Sequence, residues 1–379
     1  VTLLNPSLRS DELRVRAGHV IALRLFALAN EIDLARAEQL WERRVQRATA
    51  RSRLVGTPDK AVSFGVPPLG LALDPVLLDI GGVAVSAAAS VRLYDFGIAV
   101  LTLRLPAHDL GWTDFTRLVN ETNDAIGPAA ATPVWSELLA QLRELLGEAL
   151  DRPTAVPLQE DYLIALVDAF DAPMTAEALR LRVDLVPLLS GESRPLSDGA
   201  RGDLLRLCFS YHPDDLVVIT WDRAFIYEPQ QETDVADVLE MANAQLLEMR
   251  VYDEMLDDEL PRMHDLVEAA RRRTTVIASR RYAKLARRLH ALVAEVTVLA
   301  ERVDNALQVT EDVYLARVYA AAMELFRVPN VTQAVDRKLA IIREIYTALQ
   351  SDAAGARAEL LEMAILVLIV IEIVLPLIR

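Results

Sequence analysis

Apolar and polar positions along this chain follow three successive regimes, each predicting a different kind of structure. The first runs to about residue 229 and mixes short alternating or continuous apolar runs with helical patterns. From Gly18 to Ala48, GHVIALRLFALANEIDLARAEQLWERRVQRA reads as a strand, a turn at Asn30 to Asp33 and an amphipathic helix. After a loop at Gly56 to Lys60 come strand candidates at Ala61 to Val66 and Val83 to Ala88. A firmer hairpin pairs Ser90 to Tyr94 with Gly97 to Leu105 across Asp95 and Phe96. Trp112 to Ala125 reads as a helix, and GPAAATP at Gly127 to Pro133 marks a linker.

Beyond that linker the order of signals returns. Asp161 to Val183 echoes the first strand and helix, and Leu207 to Pro229 echoes the first group of strands, with LVVIT and AFIY flanking a turn at Trp221 to Arg223. The expected fold class is therefore α+β, with two related lobes over residues 1–127 and 134–229, each resembling a ferredoxin-like plait.

The second regime, 232–350, has no strand signal. One helix aligns Val235, Leu239, Ala242, Leu246, Met249, Tyr252, Leu256, Leu260, Met263, Val267 and Ala270. Another places Tyr282, Leu285, Leu289, Leu292, Val296, Leu299, Val303 and Ala306 at steps of three and four. That spacing is a coiled-coil seam. The phase slips around Thr274 to Ser279, which leaves either an antiparallel helical hairpin or one continuous rod. Thr310 is the expected N-cap of a helix over Glu311 to Phe326, ended by Pro329 and Asn330. A further helix carries Val331, Val335, Leu339, Ile342, Tyr346 and Leu349.

The third regime is the apolar run Leu360 to Ile378 within residues 352–379. Fourteen of its nineteen residues are Leu, Ile or Val, and a helix of that length spans about 28 Å, close to the hydrocarbon thickness of a bilayer. Glu372 and Pro376 oppose insertion, with Glu362 and Ile369 placed at the entry and the middle of the run. A C-terminal transmembrane helix, tail-anchored in a lipid membrane with the remaining chain on the cytoplasmic face, is the expectation. A buried core helix is the other reading.

Charge refines this picture. The formal net charge is −15, which disfavours a surface broadly dedicated to nucleic acid. The local exception is the cluster Arg271, Arg272, Arg273, Arg280, Arg281, Lys284, Arg287 and Arg288. It either contacts phosphates of RNA or lipid headgroups, or forms a solvated face paired with Asp253, Glu254, Asp257, Asp258 and Glu259. The lone Cys208 excludes an intrachain disulfide and any paired-cysteine metal site. YHPDD at Tyr211 to Asp215 offers a weak metal site or ordinary turn chemistry. His19, His108, His264 and His290 have no ligand-pair spacing, and no phosphate-loop, dinucleotide, hydrolase-elbow or zinc-protease motif is present. No secretory signal is expected at the N-terminus. No cofactor, metal, small-molecule substrate or catalytic residue is indicated.

The runs LLEMRVYDEMLDDEL (246–260), ERVDNALQVTEDVYLARVY (301–319), VDRKLAIIREIYTALQ and RAELLEMAILVLIVIEIVL (within 335–375), with YDFG at Tyr94 to Gly97, resemble the "required for meiotic nuclear division" family, as a bacterial-type member. The resemblance implies a membrane-anchored homo-oligomer, on the matrix side of the mitochondrial inner membrane in eukaryotic relatives, that supports translation. The expected function is a non-enzymatic membrane scaffold that homo-oligomerises. The alternatives are an RNA- or ribosome-binding tether, and an enzyme or ion pathway using the lobe interface or Glu372.

Overall fold

The computed structural model describes residues 13–45, 66–271 and 312–345, with isolated helical positions at 347, 362, 365, 366 and 369. In chain order the strands are β1 (Arg14–Ala27), β2 (Glu31–Ile32), β3 (Leu69–Ala72), β4 (Val76–Ile80), β5 (Val83–Leu93), β6 (Ile98–Gly111), β7 (Leu150–Asp151), β8 (Gln159–Phe170), β9 (Cys208–Phe209), β10 (Leu216–Ile219) and β11 (Arg223–Tyr227). The helices are α1 (Leu34–Val45), α2 (Trp112–Ile126), α3 (Val134–Leu146), α4 (Ala176–Arg182), α5 (Val186–Ser190), α6 (Asp198–Leu204), α7 (Asp234–Arg271) and α8 (Val313–Leu325). Residues 328–345 are also helical.

Nine strands form one mixed sheet in the order β3-β5-β6-β1-β8-β11-β10-β9, with β4 pairing β5 off this path. Strand β1 organises it. Its run Val20 to Leu28 is buried throughout, and it pairs antiparallel with β6 on one side and β8 on the other. Strand β11 joins β8 in parallel, while β2 and β7 form a separate two-stranded sheet. The expected pair of plaits is thereby corrected: β1, β5 and β6 from the first predicted lobe and β8 to β11 from the second share one sheet. A central strand apolar on both faces has two edges to satisfy, and only pairing across the linker satisfies both. The predicted β5–β6 and β10–β11 hairpins are present.

On the first face of the sheet, Val20, Ala22, Phe26, Leu101, Leu103, Leu163 and Val167 share a core with Trp41 of α1, Phe115 and Val119 of α2, Trp135 and Leu142 of α3, and Leu188 of α5. Arg24 is buried on this face. Its guanidinium donates to the Ile126 carbonyl at 3.2 Å and lies 5.5 Å from the Trp135 ring centre. The Trp135 indole donates to the same carbonyl at 2.6 Å, so the C-terminal end of α2 is closed by a cation and an N–H. Burial pulls the Arg24 guanidinium down from its ordinary value.

The second face carries Ile21, Leu23, Val100, Thr102, Arg104, Tyr162, Ile164 and Leu166, the register partners that alternate with the first set. Helices α7 and α8 meet it: Tyr94 and Arg92 of β5 and its turn bond to α7, and the Tyr162 ring packs edge-on against Phe326 just after α8. Residues 237–249 of α7 are buried on all sides. The predicted one-sided stripe is thus too narrow here, because a helix enclosed all round has no solvent face to reveal its period.

Asp312, and not the expected Thr310, caps α8. Its carboxylate accepts the amides of Tyr314 at 2.7 Å and Leu315 at 3.2 Å. Asp312→Ala is expected to lower stability by about 1 kcal/mol, read as a fall in urea midpoint at unchanged slope. The helix ends at Phe326 and Arg327, the latter with φ of 57°. Pro329 does not break a helix but lies in the first turn of the next one, where its missing N–H costs nothing.

The chain divides into two compact units, Val1–Glu248 with Asn305–Val328, and Met249–Asp304 with Pro329–Arg379. In the second unit Tyr252, Leu256, Val335, Leu339 and Ile342 are buried. Lys338 Nζ bonds Asp253 at 2.6 Å and Asp257 at 2.7 Å. The predicted seam over Tyr282 to Ala306, and with it the choice between hairpin and rod, lies outside the described residues.

The expected C-terminal transmembrane helix is also corrected. Among the described residues no helix is long and apolar enough to cross a membrane. Helix α7 has the length, but Asp237, Glu240, Glu248 and Arg250 in its first half and the acidic turns over 253–259 after them leave no apolar window long enough. Leu360, Glu372 and Pro376 lie outside the described residues, while Glu362 and Ile369 are isolated helical positions, both exposed. The tail-anchored membrane assignment and the cytoplasmic-face location deduced from it are withdrawn.

Candidate functional site: a cleft on the second sheet face

The described residues do not cover the second face completely. Between its β3–β5–β6 side and the N-terminal turns of α7 lies an open cleft of about 520 Å³, within the usual size of small-molecule sites. Cross-strand register explains its floor. Gly70 and Ala72 of β3 pair with Arg92 and Ser90 of β5, and Ala88 and Ser90 of β5 pair with Arg104 and Thr102 of β6. Four small side chains in adjacent positions leave a hollow that larger residues would fill.

The α7 wall is a closed polar network. Arg92 Nη1 lies 2.9 Å from Asp237 and 2.8 Å from Glu240, the Tyr94 hydroxyl donates to Glu240 at 2.8 Å, and Thr233 donates to Asp237 at 3.0 Å. Burial pushes the Glu240 carboxyl above its ordinary value, with Arg92 only partly offsetting this and Asp237 adding to it. Burial alone would lower the Arg92 guanidinium, yet Glu240 and Asp237 raise it well above its ordinary value. The Tyr94 phenol is held well up by burial and then by Glu240. These charges satisfy one another.

Arg104 differs. It lies on the cleft floor, half-buried, and among the described residues its guanidinium has no ion pair or hydrogen bond. An arginine without a carboxylate on a concave floor is prepared for an anionic ligand.

Next to Arg104 along the same face the sheet gathers three more polar groups. His19 Nδ1 is buried 3.3 Å from Asp168 of β8, at ion-pair distance without an aligned hydrogen bond. The His108 ring of β6 meets His19 edge-on with centres 6.4 Å apart. His19 and His108, which have no ligand-pair spacing in the sequence, are thus brought together by the β1–β6 pairing, which no local spacing encodes. Arg104 and Arg92 did leave a trace, as lone charges at the alternating positions of otherwise apolar strands.

The other sequence candidates fare differently. In the YHPDD turn the Asp215 carboxylate accepts the amides of Tyr211 at 2.8 Å and His212 at 2.7 Å, which is turn chemistry. Among the described residues no cluster of three or more His, Cys, Asp or Glu is arranged to hold a metal. Cys208 is half-buried in β9, its thiol pushed up by burial. Of the basic cluster, Arg271 ends α7 and the other seven lie outside the described residues. Among the described residues the acidic run pairs with Lys338 and, through Asp258 and Glu259, with Arg262.

Residues 17–234, more than half of the chain, match the family described as "Uncharacterized protein MJ0711, N-terminal domain". The chain belongs to the MJ0711 N-terminal domain family. The protein described as "Uncharacterized protein MJ0711" from Methanocaldococcus jannaschii is 24% identical over 245 residues, covering 64% of this chain and 74% of that one. No solved structure matches. This corrects the resemblance to the "required for meiotic nuclear division" family: the family match covers the sheet region, whereas that resemblance rested on runs of charged and apolar helix, a pattern common to many long helices. The MJ0711 domain match takes in β1 from Ala17 onward and the later strands, with Arg104, His19 and Asp168, and ends at the first residue of α7.

Proposed function

We propose that this protein binds a small anionic molecule in the cleft on the second sheet face, with Arg104 as its anchor. The observation that carries this reading is the unpartnered Arg104 on the floor of a cleft made from glycine, alanine and serine. The neighbouring Arg92 is neutralised by two carboxylates, so Arg104 is the cation open to a ligand there. The scaffold and RNA-tether readings depend on surfaces outside the described residues, and binding in the cleft requires neither.

Titration calorimetry with inorganic phosphate tests the proposal. Losing one charge-assisted contact costs about 1.5–3 kcal/mol, so Arg104→Ala is expected to weaken binding by roughly ten- to a hundred-fold. Ser90→Trp, which fills the hollow without touching the charge, is expected to do the same. Phosphate affinity unchanged in both variants would sink the reading.

A further inference from the structure

We infer that the ligand's anionic group is a phosphate-type dianion, and that His19 in its protonated form holds it together with Arg104. This rests on the cleft reading and extends it to the ligand's chemistry. In the β1–β6 register Ile21 faces Arg104 and His19 faces Pro106. His19 and Arg104 are therefore diagonal neighbours on the same face, about 7–8 Å apart at the backbone. One tetrahedral anion accepting a hydrogen bond from each side chain spans that gap.

The tautomer decides what His19 can do. Its Nδ1 lies 3.3 Å from the Asp168 carboxylate without an aligned hydrogen bond; the negative charge on that side favours the neutral ring's proton there and a lone pair at Nε2. A lone pair repels an anion. The imidazolium carries a proton on each nitrogen, one beside the Asp168 carboxylate and one for the ligand, and Nε2 has no partner among the described residues. The charged or titratable groups facing His19 from the paired strands are Arg104 and His108 of β6 and Asp168 of β8. Asp168 lies beside the ring at Nδ1, and His108 packs on its edge. Binding is thus tighter wherever the imidazole is protonated.

Sulfate keeps its double charge across that range and is the probe that isolates the protein's titration. Calorimetry at about pH 5.5 and about pH 8 is expected to show affinity at least ten-fold tighter at the lower pH. His19→Gln is expected to remove that difference while leaving the weaker binding, His108→Gln to keep it, and Arg104→Ala to weaken binding at both values by the factor given above. Independently of any variant's folding, sulfate should shift the His19 ring proton resonances of the unaltered protein at the lower pH. Inorganic phosphate against methyl phosphate tells a free ion from a phosphorylated small molecule, and either preference supports the dianion site. Equal affinity at the two pH values with the His19 resonances unmoved, or a pH dependence lost in His108→Gln and kept in His19→Gln, overturns the inference and leaves the cleft reading standing. Absence of sulfate and phosphate binding at both pH values overturns the cleft reading itself.

Discussion

Replacing Arg92 by methionine is expected to cost about 3–5 kcal/mol near neutral pH, and the loss should shrink on acidification. The magnitude is that of removing one partner from a buried ion pair. Arg92 is 19% exposed and faces Asp237 and Glu240, which are 10% and 7% exposed, so its removal strands two carboxylates among apolar neighbours. The sign of the pH dependence follows from Glu240. Its folded-state pKa is already raised above the unfolded value of about 4.3, and loss of Arg92 raises it further. The folded protein then binds more protons than the unfolded chain over the window between those values, so stability falls as pH rises through it and returns as pH falls. Most paired carboxylates give the opposite trend. Urea denaturation of the variant across about pH 4.5 to 8 should show the slope, and Arg92→Met with Glu240→Gln should flatten it and restore part of the loss. A variant that is equally destabilised at every pH would mean that Glu240 is not the stranded charge.

Gly97→Ala is expected to cost about 4 kcal/mol, close to the largest single-residue effects. Gly97 lies at φ of 90° in the β5–β6 turn, and its carbonyl accepts the Leu28 amide at 2.9 Å. A Cβ there would overlap the Ala29 carbonyl oxygen. Backbone cannot yield as a flexible side chain can, so the turn and the end of β1 must separate. Gly82, at φ of 83° in the β4–β5 turn with nothing near its would-be Cβ, separates strain from overlap. Gly82→Ala should cost only the conformational share, about 1–3 kcal/mol. Thermal denaturation of the two variants side by side measures the difference, and equal losses would discount the overlap.

How much the sequence disclosed varies by element, for physical reasons. Strand β1, helices α1, α2 and α4, and the two hairpins could be read because alternation, helical period and turn residues are local. The joining of β1 to β8 across more than a hundred residues could not. Two strands with apolar faces look alike whether they finish two small sheets or meet in one, and the echo between the segments favoured the wrong alternative. The apolar tail drew attention because hydropathy is the loudest signal in a sequence, yet the cleft is made from what is absent, namely side-chain bulk at Gly70, Ala72, Ala88 and Ser90. Arg104 could have been marked as a cation at an inward strand position. His19, His108 and Asp168 become neighbours only once the register is known.

The order in which the sheet receives its two covers bears on how the chain is made. Helices α1 to α3 and α5 for the first face are interleaved with the strands, whereas α7 and α8 arrive only after all eleven strands have been synthesised. The nascent protein therefore carries Ile21, Leu23, Val100 and Ile164 without either cover until translation has passed residue 234, and without the second until it has passed residue 325. A chain halted at residue 234, where the family domain ends, would keep that apolar surface bare and should be prone to self-association. The portion recognisable by homology thus stops short of the helices that cover its own sheet.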